Sequence, residues 1–541
     1  MKDQKEKYLL IWPPFLTAYN LPLGIPFLSA YLKKNGISGV DVLDLNISYL
    51  KKFRLLYFIH SLNKNYHGLA GTIIKRPSND KKNKPRPLWR KALSMISKFI
   101  NRNMSALLDL LKDKEKNSVP WSLDSMINSD IEKNFPGQTD KLYHILKPII
   151  EKKKLGLVGI SVIYPEQLHF SLLTAKIIKE RFGKDIPVAL GGAQITKHIS
   201  HLIKSPKVAK LVDFLVAGDG EEPLLHLIKK LPENNFLGVP NLYYRARGEE
   251  TLFRSSKNTF HLHPDNFPIP DFTGFDIKTY IGQLPLLASK GCFWSKCSFC
   301  TYACIHENKF IISSAQKTFD TIKQMKISYG ASSFKFVDDA LPPRFMKNLA
   351  ELLVKEGLNI KWACSIVLST DFADANFCDM LKRSGLQQVS IGLESISQRI
   401  LKLMNKFHKD LAEGDIKNVL SGLKNAGIKT GLHIIFGFPT ETRSEARQTL
   451  AFLTQHKDLY DMCMFQPFCL EDATPVFSNP ERFGIKKIHR EDKDSGERLG
   501  YRYEVTEGMD QKEALEFTYG EALEAFRIAK VPVRSSAIKS R

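Results

Sequence analysis

Ten residues constrain this chain more than any others. Gly291-Cys292-Phe293-Trp294-Ser295-Lys296-Cys297-Ser298-Phe299-Cys300 brings three cysteines together in a sequence that has none before position 292. Thiolates gathered this tightly bind metal. Zinc asks for four ligands and normally a second pair, whereas three clustered thiolates hold three irons of a 4Fe-4S cube and leave the fourth open to a small molecule. Two other readings stay open on these residues alone. The cysteines could be buried as small apolar side chains, or Cys304 could complete a zinc knuckle or a fully thiolate-bound cube.

Composition narrows the setting. A chain of 541 residues that is 43% hydrophobic and 10% aromatic has core enough for two to four globular domains. No stretch approaches 18 uninterrupted apolar residues, and the apolar run Tyr8 to Trp12 stops at Pro13-Pro14, so no membrane span or signal peptide is expected. All eight cysteines lie in the C-terminal half, which fits a reducing, cytoplasmic setting rather than a secreted disulfide framework. The net charge of +22 is unevenly spread: residues 51–154 hold 23 Lys/Arg against 9 Asp/Glu. That concentration speaks against a nucleic-acid footprint spread over the whole molecule.

Strands and helices alternate through residues 1–240, the pattern of a doubly wound parallel sheet. Strands are predicted at Tyr8–Trp12, Val40–Leu45, Leu155–Val162, Pro187–Gly192 and Val212–Ala217, with a helix from Leu21 to Lys34 stopped by Asn35-Gly36. The basic segment 51–154 interrupts them as a helical insertion. Its Lys75–Lys91 run reads as a loop, and Ala92–Leu111 and Leu142–Lys154 as amphipathic helices. It is read as a solvated lysine-rich elaboration, as a docking surface for an acidic peptide or carrier protein, or as a nucleic-acid or membrane contact. In such sheets ligands bind at the carboxyl ends of the strands, here the loops around Ser161 to Gln167, Gly191-Gly192 and Gly218-Asp219-Gly220-Glu221.

Residues 241–283 read as a hairpin turning at Arg247-Gly248, followed by a proline-containing linker. Strand-helix units of about 30 residues then repeat six times over 284–475. Their strands are predicted at Leu284–Ser289, Ser333–Val337, Lys361–Val367, Gln388–Leu393, Lys429–Phe436 and Asp461–Phe465, a partial (β/α)6 barrel with function at its C-terminal strand ends. Residues 476–541 read as a mainly helical capping segment, with a helix over Asp510–Ala529.

The cysteine loop, with Phe299 between its last two cysteines, resembles the cluster loop of the radical S-adenosylmethionine (SAM) superfamily. Its four-residue spacing between Cys292 and Cys297 resembles branches joined to a cobalamin-binding domain, some of which modify ribosomally made peptides. The N-terminal half resembles that domain through Ser161 after its third strand and Gly191-Gly192 after its fourth. The D-x-H-x-x-G motif that would ligate cobalt is absent, because Pro13 to Gly24 contains no histidine. The resemblance implies a 4Fe-4S cluster on Cys292, Cys297 and Cys300. It implies SAM contacts from Phe299, from Asp338 and Asp339 after the second barrel strand, from Glu394 and Ser395 after the fourth, and from the turn holding Gly437 and Pro439 after the fifth. It also implies cobalamin contacts from Ser161, Tyr164, Gly191, Gly192, Gly218, Gly220 and Glu221. No catalytic acid or base is named by it.

The function so implied is cobalamin-dependent methylation of an unactivated carbon in a peptide or natural product, free or carrier- or leader-bound, with electrons from a flavodoxin- or ferredoxin-type donor. The alternatives are a radical SAM rearrangement or crosslinking enzyme, and a non-catalytic iron–sulfur or zinc protein that binds nucleic acid.

Overall fold

The computed structural model describes residues 7–14, 20–52, 137–245, 249, 251–280, 282–302, 306, 309–489 and 500–535. The Lys75–Lys91 run, the helix expected over Ala92–Leu111 and Cys304 lie outside these residues. The chain divides into two units, residues 1–259 with 271–282, and residues 260–270 with 283–541.

The first unit is built on β1 (Lys7–Trp12), β2 (Val40–Asp44), β3 (Leu155–Ser161), β4 (Val188–Gly191), β5 (Phe214–Val216), β6 (Leu242–Tyr244) and β7 (Phe253–Arg254). They form one sheet in the order β2-β1-β3-β4-β5-β6-β7. The first five strands are parallel, and the predicted hairpin supplies β6 and β7 as an antiparallel extension of the same sheet. Helices cover both faces, which explains the nearly continuous burial of β3. Leu9, Ile11, Val158 and Ile160 pack with the helices Gln138–Ile150 and Pro165–Ile177. Leu10 points to the opposite face and packs tightly over Gly159, where an added Cβ would lie 3.0 Å from Leu10 Cδ2.

The strand order reverses direction between β1 and β3, so the crevice at the carboxyl ends of those two strands is the expected ligand position. Gln167 ties its two walls together. This fully buried side chain accepts from the N–H of Ile163 and Tyr164 at 3.0 and 3.1 Å and donates to the carbonyl of Pro13 at 3.2 Å.

The second unit carries β8 (Leu284–Leu286), β9 (Ser289–Lys290), β10 (Ile311–Ile312), β11 (Ser333–Phe336), β12 (Lys361–Ile366), β13 (Leu386–Glu394), β14 (Lys429–Phe436), β15 (Met462–Pro467), β16 (Ile485–His489), β17 (Arg502–Val505) and β18 (Val533–Ser535). Its main sheet runs β8-β11-β12-β13-β14-β15-β18, parallel throughout. Five of its pairings join strands consecutive along the barrel, with helices between them, as the six-unit pattern predicts. The C-terminal segment holds the expected helical stretch, Gln511–Ala529, and adds the β16–β17 hairpin and a seventh barrel strand, β18. Three residues are too few to show a period in sequence.

One side of the sheet is the core against the helices. Trp362 on β12 meets Phe336 on β11, Phe436 on β14 meets Phe517 of the C-terminal helix, and Phe465 on β15 meets Phe526. The opposite side faces the barrel interior.

Gly192 tests the geometry of the first unit's crevice. Its φ is 101°, and an added Cβ would sit 2.6 Å from the carbonyl oxygen of Val162. Gly192→Ala combines backbone strain with a backbone clash and is expected to cost roughly 2–4 kcal/mol. Urea unfolding followed by circular dichroism measures this; an unchanged midpoint would refute it.

Candidate active site

The cysteine loop leaves the barrel as an excursion between β9 and β10. These two strands pair antiparallel, Lys290 with Ile311 and Ser289 with Ile312, and so bring the ends of the excursion together. Gly291 opens it with a φ of 78°, and its backbone passes so close to the carbonyl of Lys309 that no side chain fits. Cys292, Cys297 and Cys300 are partly exposed, and none of them is in a disulfide.

The far side of the excursion is clamped to the segment after helix Gln398–Leu403. Ser298 donates its N–H to the carbonyl of Met404 and its hydroxyl to that of Leu403, both at 2.9 Å. Trp294 Nε1 donates to the carbonyl of Asn405 at 2.6 Å, and Asn405 Nδ2 returns a bond to Lys296 at 3.0 Å. Phe299 packs on an apolar cluster that includes Phe438, Phe468, Ile485 and Tyr503.

Asp338 fixes the near side. Its buried carboxylate accepts from the N–H of Ala288 at 3.0 Å, from the N–H of Ser289 and from the hydroxyl of Ser289 at 2.6 Å. Burial pushes its pKa up to about 7 against the lowering effect of these bonds. The carboxylate therefore holds the start of the cysteine excursion and is spent on protein donors. Asp339 points elsewhere: it is partly exposed, with Oδ2 4.0 Å from His306 Nε2, and burial raises its pKa to about 6. Of the two adjacent acids, Asp339 is the one that remains available to a ligand.

Glu394 ends β13 in the left-handed region, at a φ of 65°, and forms a buried ion pair with Lys406 Nζ at 3.1 Å. The pair lies over Gly392, where an added Cβ would come 2.5 Å from Glu394 Oε1 and 2.9 Å from Lys406 Nζ. Burial pushes the Cys297 thiol up to about 12; the Lys406 charge works against this rise, and the charges of Cys300, Glu394 and Cys292 add to it. Ammonium, carboxylate and thiols thus share one neighbourhood. His408 Nε2 donates to the carbonyl of Leu393, 3.1 Å away, and the ring is kept neutral, with its pKa lowered to about 3 by burial and by Lys406. Sequence reasoning named Glu394 but missed Lys406, which follows it by twelve residues in an irregular stretch with no spacing signal.

The remaining residues expected at this end are engaged in packing. The Ser395 hydroxyl lies 3.2 Å from Thr449 Oγ1 and accepts from the N–H of Ser397. Gly437 and Pro439 are buried: an added Cβ at Gly437 would strike Ala514, and the Gly437 N–H donates to Glu441 at 2.5 Å. Arg399 joins the loops after β13 and β14. It pairs with Glu445 through Nε at 2.8 Å and Nη2 at 2.6 Å, and reaches the carbonyl of Thr440 at 2.7 Å.

In the first unit, Ser161 ends β3 with its Oγ opposite Gly24, at 3.8 Å from an added Cβ. Tyr164 follows it, 6.4 Å from Trp12 centroid to centroid, and burial raises its phenol pKa. Gly191 ends β4 and Gly192 caps the next helix. The Gly218–Gly220 turn is held by a 2.8 Å bond from Gly218 N–H to Thr196 and a 3.1 Å bond from Asn241 to Asp219. Glu221 then opens a helix. The cobalamin candidates expected from sequence thus gather at the carboxyl ends of neighbouring strands.

Residues 286–453 match the Radical SAM superfamily. The chain is 24% identical over 320 residues, 58% of its length and 67% of the relative's, to an uncharacterized methyltransferase of Pyrococcus horikoshii. It is 28% identical to the bacteriochlorophyllide d C-12(1)-methyltransferase of Chlorobaculum tepidum, over 37% of this chain but only 43% of that one. Among solved structures, the radical S-adenosylmethionine methyltransferase TsrM of Kitasatospora setae, with cobalamin and a 4Fe-4S cluster bound, superposes with a TM-score of 0.57. The superposition covers 94% of this chain and 81% of that one at 16% identity, a likeness of fold.

The Arg399–Glu445 tie has a pH signature. Despite the opposing effect of burial, bonds from Arg399, Thr442 and Ser397 hold the Glu445 pKa at about 2. A carboxylate depressed below its unfolded value, about 4.3, stabilises the fold fully above that pH and loses the contribution as pH falls toward 2. The stability difference between wild type and Glu445→Gln should be constant above pH 5 and shrink between about pH 4 and 2. Denaturant midpoints across that range measure it, and a difference independent of pH would contradict the tie.

Proposed function

We propose that this chain, which has a radical SAM domain at residues 286–453 and the fold of a cobalamin-holding radical SAM methyltransferase, transfers a methyl group to an unactivated carbon of a small-molecule or natural-product substrate. The observation that carries the reading is the cysteine excursion at the C-terminal end of the first barrel strand, held at both sides by Asp338 and Ser298. Its proposed cofactors are a 4Fe-4S cluster, SAM and cobalamin. Together, when bound, they supply radical hydrogen abstraction and the methyl group.

The donor set fits the cluster. Three partly exposed thiols, none in a disulfide, stand on a pinned loop, with the Lys406 ammonium working against the burial that raises the Cys297 thiol. Among the described residues no three His, Cys, Asp or Glu side chains close on a single ion. A cube, in which each thiolate takes its own iron, calls for wider spacing than a mononuclear site. Cys292, Cys297 and Cys300 would hold the cluster, Phe299 would shield it, and Asp339 would receive the SAM ammonium. Glu394 would present its second carboxylate oxygen to the ribose hydroxyls. Ser395, Asp338, Gly437 and Pro439 would act by holding those loops in place.

The crevice between β1 and β3 fits cobalamin. Ser161, Gly191, Gly192, Gly218, Gly220 and Glu221 would line its carboxyl-end rim, where small residues allow close approach of a large flat ring. Tyr164 would contribute to the same rim with its phenol protonated, since burial raises its pKa. A protonated phenol is a poor ligand. We further propose domains at 1–240 and 284–475, a capping segment at 476–541, an electron donor of flavodoxin or ferredoxin type, and a docking role for the basic segment 51–154.

Anaerobic reconstitution tests the reading. Iron content and SAM cleavage to 5′-deoxyadenosine should be lost in each of Cys292→Ala, Cys297→Ala and Cys300→Ala and retained in Cys304→Ala; the reverse pattern would overturn the ligand assignment. Electron paramagnetic resonance of the Co(II) form should show no nitrogen superhyperfine splitting from a protein ligand. Splitting would overturn the Tyr164 assignment, and failure to take up cobalamin would favour a radical rearrangement or crosslinking reaction without it.

A further inference from the structure

The interior face of the barrel is cut away where most barrels are full. Barrel interiors are usually packed with bulky branched residues. Here the inward positions of the three central strands include the small residues Ala363 and Ser365 on β12, Ser390 and Gly392 on β13, and Gly431 on β14, with Gln388 and His433 as larger members of the same face. Register puts Ser365 beside Ser390 and Ser390 beside Gly431. Gly431 faces Met464, 3.4 Å from an added Cβ to Cε, and Ser390 Oγ at 3.9 Å, which fixes this as the inner side.

The rim of the hollow is larger and mixed in character. Val337, 47% exposed, and Met462, 36% exposed, are apolar side chains on the inward face. His433 on β14 is in register with Gly392, directly beneath the Glu394–Lys406 pair that neighbours Cys297, so the hollow begins where the cysteine loop ends. Lys335 stands at the third residue of β11, level with Ala363 and Pro285, and its charge acts on His433. It is exposed to the hollow, and among the described residues no carboxylate pairs with it. Lys361 and Lys429 also face inward; by register Lys335 stands level with Ala363, Gln388 and Lys429, two residues beyond the row of Lys361.

We propose that this hollow is the substrate chamber and that Lys335, assisted by His433, binds an anionic group, a carboxylate or a phosphate, on a substrate whose apolar body rests on Val337 and Met464. Lys335 is exposed on the inward face, and among the described residues no carboxylate pairs with it, so its ammonium is open to an anion. A lysine is a compact point charge with three donors, suited to either anion, and a neutral imidazole beside it adds a directed hydrogen bond. Burial lowers the His433 pKa, with Glu394 opposing and Lys406 and Lys335 adding to the fall, so the imidazole is neutral near pH 7. The inference rests on the methyltransferase reading only in calling the bound anion a substrate.

The test is calorimetric titration of the full-length, anaerobically reconstituted protein with phenylacetate, phenylphosphonate and the neutral phenylacetamide. At least one anion should bind more tightly than the amide. Lys335→Gln should weaken that anion at least about tenfold, while Lys335→Arg restores most of the affinity. Tighter phenylacetate assigns a carboxylate substrate, and tighter phenylphosphonate a phosphate or phosphonate. Equal affinity for acid and amide in the wild-type protein, absence of binding by both anions, or an undiminished affinity in a folded Lys335→Gln variant would overturn the proposal. None of these readouts needs methyl transfer, so a failure of the chamber is distinguishable from a failure of the reaction assigned to it.

Discussion

The carboxylate of Asp338 is the point on which the second unit's functional end depends. It leaves the end of β11 and takes three donors from Ala288 and Ser289, two of them backbone N–H groups that no strand pairing satisfies. Buried N–H groups must be paired, and an anion that accepts several charge-assisted bonds is worth more than the same number of neutral ones. The bond network does more than stabilise. It sets the direction in which the chain departs from β8 into β9, and with the β9–β10 pairing it fixes one end of the cysteine excursion to the barrel. Ser298 and Trp294 fix the other end to the 403–405 segment.

A second constraint follows from the first. Once the excursion is pinned, Cys297 lies in a buried neighbourhood that opposes its ionised form, and ligation of iron requires that form. Lys406 supplies the compensating charge. It too is buried, and the cost of that burial is offset by Glu394 at 3.1 Å. Removing one partner from such a pair costs about 3–5 kcal/mol, because the other is left as an uncompensated buried charge. Gly392 belongs to the same arrangement, since any side chain there would displace both members. Thiol, lysine, carboxylate and glycine are therefore one structural decision, although the thiol and the other three come from distant stretches of the chain.

That distribution explains which parts of the molecule could be read from sequence. Period-two and period-3.6 patterns gave every strand from β11 to β15 to within two residues at most ends, because each has one face against aromatic and aliphatic neighbours such as Trp362, Phe436 and Phe465. The cysteine loop and the Gly191-Gly192 rim were legible because spacing and backbone conformation are local properties. Roles set by which way a side chain turns were not legible. Asp338 and Asp339 are identical in sequence terms, and only the fold turns one inward to Ser289 and leaves the other partly open. Lys406 and His433 have no motif around them; alternation along β14 could have placed His433 on the face of Gly431, had the interior been recognised as hollow. At the turn of Gly437, where a backbone contact to SAM is expected, the fold uses the N–H for Glu441 and the missing side chain for Ala514, details that no local pattern shows.

The same logic bears on how a barrel of this kind divides its tasks. The carboxyl-end loops are cross-linked by groups that leave little freedom: Arg399 joins two loops, Ser298 joins a third to the 403–405 segment, and Gly437 and Gly508 press the C-terminal segment against the turn after β14. Reactive chemistry demands such rigidity, because a reacting atom displaced by an ångström loses much of its rate. The interior has the opposite character. Small side chains on β12 to β14 leave volume, and the few large ones, Val337, Met464, Lys335 and His433, come from different strands and can change independently of the loops. A scaffold arranged this way can alter what it accepts by substitutions in the hollow while the pinned loops, and the thiols they carry, stay where the chemistry needs them.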